Sequence, residues 1–237
     1  GQPHEHGRFG VFLMAVIVRG ATCSLGEAVV DKLLSMGVNV VAKEETHLKR
    51  NTTLLQYSEA KILQEGEGFS VSFDGSDADI VIGSDIIVHD LIPTRKDKWI
   101  PQEFLFWSKG KEYTSSSRYW VSVTDAAYAI ASLIKAEKNC TELHLCGRRE
   151  WSAEDTKAEF DMLWERTSQG KTGKFTAETL FGHEIAGMVP KPIHNEDAQR
   201  PNLEPLHETL LQITGEGWRP LIPLRTAIMT LIAGLVE

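Results

Sequence analysis

The chain has 237 residues, 42% hydrophobic and 24% charged, with no low-complexity tract or block of like charge, which excludes disordered and fibrous architectures. Its 33 acidic and 25 basic residues give a formal charge of -8, a balance that repels a nucleic-acid backbone. The longest apolar run, residues 11–18, falls short of the roughly 20 residues that cross a bilayer, and the sparse set Cys23, Cys140 and Cys146 fits a reducing compartment, so the expectation is a folded, cytoplasmic protein without membrane or signal segment.

Residues 1–13 read as a leader or tail. From Met14 the segments MAVIV, RGATCSLG, EAVVDKLLSMG and VNVVA predict strand, small-residue turn, helix and strand, a β-α-β unit. Val29, Val30, Leu33, Leu34 and Met36 share one side of the helix, and Gly37 stands where a helix-ending glycine is expected. In the turn, Gly20 permits tight chain reversal and Gly26 permits close helix packing. The backbone around Thr22, Cys23 and Leu25 lies where N–H groups at a helix N-terminus face a pyrophosphate. Cys23 occupies the place of the second glycine of the three-glycine fingerprint, and its side chain is expected to crowd that pyrophosphate. Glu44 ends the second strand at the spacing of a carboxylate that binds the adenine ribose and so prefers NAD to the 2′-phosphorylated cofactor. Its other reading is a solvated glutamate in the cluster 43–45.

Tyr57 and Lys61 in YSEAKILQEG have i,i+4 spacing, which on a helix brings an ammonium beside a phenol and lowers the phenol's pKa. Further sheet strands are expected over residues 79–87 and 143–146. His89 and Asp90 are strand neighbours pointing to opposite faces, and His144 with Cys146 lacks a further ligand, so no metal site is read. The aromatic run from Trp99 to Trp107 reads as core, and Asp125 as a helix N-cap or first-turn carboxylate.

Four segments in shared order, VIVRGATCSLGEAVVDKLLSMGVNVVAKE, YSEAKILQEG, KWIPQEFLFWSKGKEYTSSSRYWVSVTDAAYAIASLI and RPNLEPLHETLLQITGEGWRPLIPLRTAIMTLI, resemble the extended short-chain dehydrogenase/reductase family, specifically its nucleotide-sugar epimerases and dehydratases. The resemblance implies an α/β fold with a Rossmann-like parallel sheet and a small C-terminal substrate-binding subdomain, divided here as 14–92 and 93–237. It implies NAD as cofactor, Tyr57 as acid/base, Lys61 on the nicotinamide ribose, and Arg118 and Arg200 on the diphosphate of a nucleotide-sugar substrate. The chain departs from the family between Glu44 and Tyr57, where several strands and helices, among them the strand bearing a catalytic Ser or Thr, are missing; Thr52 and Thr53 do not match that residue. The sheet is therefore expected to be reduced, with an exposed edge that a homodimer covers. Two functions follow as expectations: an NAD-dependent epimerase/dehydratase-like oxidoreductase using transient hydride transfer, or a catalytically silent nucleotide-binding protein with a regulatory or scaffolding role.

Overall fold

The computed structural model describes residues 14–54, 59–171 and 199–236. The β-branched run at the start forms β1 (Val16–Arg19), and α1 (Ser24–Ser35) follows, its buried stripe of Leu25, Val29, Val30, Leu33 and Leu34 recurring at helical spacing. Gly37, at φ +79°, ends the helix: its N–H and that of Val38 donate to Leu34 and Leu33 carbonyls. β2 (Val40–Val41) then pairs parallel to β1. After α2 (Glu45–Leu54) come β3 (Ile62–Leu63), β4 (Ser70–Ser72) and β5 (Ile80–Val81), giving a parallel sheet of order β3-β2-β1-β4-β5. The order reverses between β1 and β4, and in such sheets ligands bind beyond the C-terminal strand ends at that switch point.

Register explains which side of the sheet is core. Val16, Val40 and Ile62 lie side by side, as do Val18, Val71 and Ile80, and all six are buried against α1 and α4. On the opposite row Val41 and Ser72 are buried, Ile17, Ser70 and Val81 half-buried, and Arg19 exposed. The interval after Glu44, where a block was expected to be missing, holds α2 as an ordinary helical crossover from β2 to β3, and the short connection lies later in the chain. Parallel neighbours ordinarily require a crossover of a dozen residues or more, usually helical, whereas residues 73–79 alone join β4 to β5.

Two further parallel pairs complete the strands: β6 (Ile86–Val88) with β9 (Leu143–Leu145), and β7 (Leu91–Ile92) with β8 (Val121–Ser122). The remaining helices are α3 (Gln102–Ser108), α4 (Val123–Lys135), α5 (Ala153–Lys171), α6 (Glu204–Thr214) and α7 (Leu224–Val236). One apolar core joins the sheet to α1, α4 and α6; a second joins α3, α5 and α7 around Phe104, Trp107, Trp120 and Phe160. The aromatic run is thus core at Phe104 and Trp107. Ser122 caps α4 by accepting from Asp125 N–H (3.1 Å), and the Asp125 carboxylate in the first turn accepts from Leu221 N–H (3.0 Å) and Ile222 N–H (2.9 Å). Among the described residues no helix is long and apolar enough to cross a membrane.

Candidate functional site

The glycine turn follows β1 at the C-terminal side of the switch point. Gly20 adopts φ +69°, and a Cβ there would stand 2.6 Å from the Asp74 Cβ, so both the turn and the approach of the β4–β5 loop require glycine. Gly26 seats α1 directly on the turn, since a Cβ would meet Ala21 Cα at 2.6 Å. Glu44 closes the corner: its Oε1 accepts from Gly20 N–H at 2.6 Å, while its Oε2 is buried with no hydrogen-bond partner. Buried His47 on α2 buttresses the turn from beneath by donating from Nε2 to the Ala21 carbonyl (2.8 Å).

Cys23 corrects one expectation. Its side chain is turned into α1 as the N-cap, Sγ accepting from Gly26 N–H at 3.4 Å, and it is buried instead of projecting where a pyrophosphate would crowd it. The group standing there is a carboxylate from elsewhere in the chain: Asp97 Oδ2 accepts from Ser24 N–H at 2.8 Å, at the positive end of α1. The segment carrying it is tied down on both sides. Arg95 forks Glu27 (2.8 and 3.0 Å) and donates to the Thr22 carbonyl (2.9 Å), and Lys98 donates to the Phe73 carbonyl (2.8 Å). Over Gly20, hydrogen bonds from the Ser76 hydroxyl and N–H and the Ser72 hydroxyl hold the Asp74 carboxyl down at about 2, so it is an anion.

The residues present therefore fit the two halves of an adenosine diphosphate group differently. A buried, unpartnered carboxylate oxygen beside the first glycine suits a ribose hydroxyl donor. The phosphate position does not fit an anion while Asp97 holds the Ser24 N–H and Asp74 lies over Gly20.

Tyr57 lies outside the described residues. Lys61 is a correction: it directly precedes β3, its N–H donating to Asn39 Oδ1 (2.9 Å) and its carbonyl accepting from Val40 N–H (3.1 Å), so it leads into a strand where the spacing predicts a helix. It stands at the N-terminal ends of the parallel strands, away from the glycine turn. Arg118 and Arg200 line different cavities. The Arg118 guanidinium is held by fully buried Glu103 (Nε at 2.9 Å, Nη2 at 3.2 Å) and by Asp90 (3.3 Å), in a cavity of about 260 Å³. Arg200 donates to the Arg148 carbonyl (3.1 Å) and lines a different cavity of about 510 Å³.

His89 and Asp90 follow the end of β6 instead of lying on it, Asp90 at φ +53°; the His89 ring bonds His144 (2.8 Å), and Asp90 accepts from Tyr119 N–H (2.8 Å). Burial, followed by repulsion from His144, lowers the His89 pKa. Among the described residues no cluster of histidine, cysteine and carboxylate ligands could hold a metal ion. Sequence reasoning missed Asp97, Asp74 and His47 because each reaches the turn only through tertiary contact; the one local sign was the Asp set among Arg95, Lys96 and Lys98.

No family model matches the sequence, and no curated protein matches it. Among solved structures the chain is similar to the Bordetella bronchiseptica enzyme WbmF in complex with NADH, at 12% identity and TM-score 0.49 over 93% of this chain and 91% of that one. It is also similar to WbmF in complex with NAD+ and UDP, at 11% identity and TM-score 0.47 over the same shares.

Proposed function

We propose that the protein is a Rossmann-like nucleotide-binding protein that takes the adenosine end of NAD at the corner between Gly20 and Glu44. The observation that carries this reading is the Glu44 carboxylate, one oxygen on Gly20 N–H and the other buried and unpartnered at the C-terminal end of β2. That oxygen is an acceptor without a donor, and the 2′- or 3′-hydroxyl of a ribose supplies one. A 2′-phosphate would place an anion against it, so NAD is preferred over its phosphorylated form. The backbone at Thr22, Cys23, Leu25 and Gly26 lies on the phosphate side, and binding there requires Asp97 to leave Ser24 N–H. When bound, NAD supplies a hydride acceptor. The chain's own contribution is ribose recognition by Glu44, turn geometry from Gly20 and Gly26, and support from His47.

Binding without turnover is favoured over hydride transfer by the place of Lys61, at the opposite end of the strands from the turn. Energy transfer from tryptophan to NADH tests the binding: saturable binding weakened at least tenfold by Glu44→Ala is expected, with NADPH weaker. Equal binding of the two cofactors, or indifference to Glu44→Ala, overturns the reading. The hydride-transfer alternative rests on Tyr57, and loss of turnover on nucleotide-sugars in Tyr57→Phe would restore it. We also propose a homodimer across an edge strand, β3 or β5, and a monomeric mass by analytical ultracentrifugation would remove it.

A further inference from the structure

Residues 94–98 leave β7 and reach the glycine turn before α3 begins. Their side chains hold both banks of the switch point. Arg95 forks Glu27 on α1, the Asp97 carboxylate takes the Ser24 N–H (2.8 Å), and Lys98 donates to the carbonyl of Phe73 (2.8 Å), the residue after β4. Asp97 also fixes its own loop, its Oδ1 accepting from Trp99 N–H at 2.9 Å. A carboxylate on that helix amide does what a phosphate oxygen does there: it carries negative charge to the positive end of α1 and satisfies the same donor.

The backbone of the same segment is the seat of the last helix. A Cβ at Gly234 of α7 would overlap the Thr94 carbonyl oxygen and stand 3.2 Å from Arg95 Cα, so α7 lies directly on the segment only because residue 234 is glycine. Glycine inside a helix costs about 1 kcal/mol relative to alanine, and this close approach accounts for its place. Leu231 and Ile232 on the same helix are buried in the second core. That core also holds Ile92 ahead of the segment, and Ile100 packs against it beyond the segment. Residues 94–98 are therefore fixed to the nucleotide corner through side chains and to α7 through backbone.

We propose that residues 94–98 form an autoinhibitory strap over the phosphate half of the nucleotide site, held closed by α7. In the closed state Asp97 occupies the amide that a dinucleotide phosphate needs; in the open state the strap has left both α1 and its seat on Gly234. This rests on the NAD reading of the corner between Gly20 and Glu44 and adds its regulation. Ligand and helix act on one two-state element, so NAD favours the open strap and loosening the seat favours NAD. The apparent dissociation constant is the intrinsic one divided by the open fraction, so a variant that raises this fraction binds more tightly.

Gly234→Ala tests it on the full chain. The added methyl brings no charge, favours the helix itself, and has its nearest neighbours in the strap. Titration with NADH, read by tryptophan energy transfer, should show affinity raised about fivefold or more. Arg95→Ala, which removes the fork on Glu27, should raise it likewise while lowering the thermal midpoint. A merely structural arginine would lower the midpoint without tightening binding. Lys157→Ala, on α5 and paired to Asp161, should leave affinity unchanged. Hydrogen exchange gives a second readout: NADH should speed exchange in peptides spanning 94–101 and 229–236 of the unmodified chain, as Trp99 N–H loses its carboxylate and α7 its seat. Unchanged or weaker NADH binding in both variants, with Glu44→Ala still disrupting it, overturns the strap and leaves the ribose reading standing. Exchange in 229–236 indifferent to NADH likewise overturns the strap. No NADH binding by the unmodified chain or either variant overturns both readings.

Discussion

Glu103 is fully buried and its charge is neutralised by Arg118, which is itself one-third exposed at its side chain. Removing one member of such a pair leaves the other's desolvation uncompensated, so Arg118→Ala is expected to destabilise the fold by about 3 kcal/mol in urea titration. Adding Glu103→Gln to that variant should restore part of the loss, whereas a purely diphosphate-binding Arg118 would cost no stability. His89 has a folded pKa below its ordinary 6.5. The unfolded chain therefore binds the proton first as pH falls, so stability is full above 6.5 and declines as pH drops from there toward the folded value. His89→Gln should flatten that decline. Burial pushes Cys140 up to about 11 and Cys146 up to about 12, and all three thiols are buried, so a thiol reagent at mildly alkaline pH should titrate them only after unfolding.

Elements written by local pattern were legible, whereas distant pairing was not: the strand expected over 143–146 forms as β9, but beside β6 and outside the five-stranded sheet. The first β-α-β unit follows from alternation, helical spacing and two glycines, all within one stretch. The Tyr57-to-Lys61 helix had a comparable local signal, yet an i,i+4 pair contributes only about 0.2–0.5 kcal/mol. At Lys61 the approach to β3 prevails: its carbonyl accepts from Val40 N–H and its N–H donates to the Asn39 side chain. Cys23 showed only as a missing glycine, because its capping role depends on a rotamer that sequence does not display. The segment around Asp97 was illegible for the same reason as its effect: it reaches α1 from a distance. Asp97→Asn removes a carboxylate from the phosphate position, and NADH affinity is expected to rise about tenfold, the worth of roughly one hydrogen bond. Unchanged affinity would show that this carboxylate does not compete. Gly26→Ala, by contrast, forces α1 off Ala21 and should cost roughly 1–3 kcal/mol along with binding.

Among the described residues a five-stranded parallel sheet with its own apolar core adjoins a second core of aromatic helices. The sequence pattern placed the missing block just after Glu44, yet that interval carries α2 as an ordinary crossover to β3, and the short connection is the later one between β4 and β5. What spacing alone left unseen was the seating of Gly234 on Thr94 and Arg95, which come from two separated stretches and share no motif.

The loop that stands in for a crossover helix also sets an order of assembly. Val71 meets Ile80 across residues 73–79 alone, whereas Ile17 must find Ser70 from the far end of the first unit. Sequence-local contacts form before distant ones, since closing a longer loop costs more entropy. The β4–β5 half of the sheet is therefore expected to form first, with β1 docking later. Val71→Ala should slow refolding, and Val16→Ala should act mainly by hastening unfolding, a division that chevron kinetics reads directly.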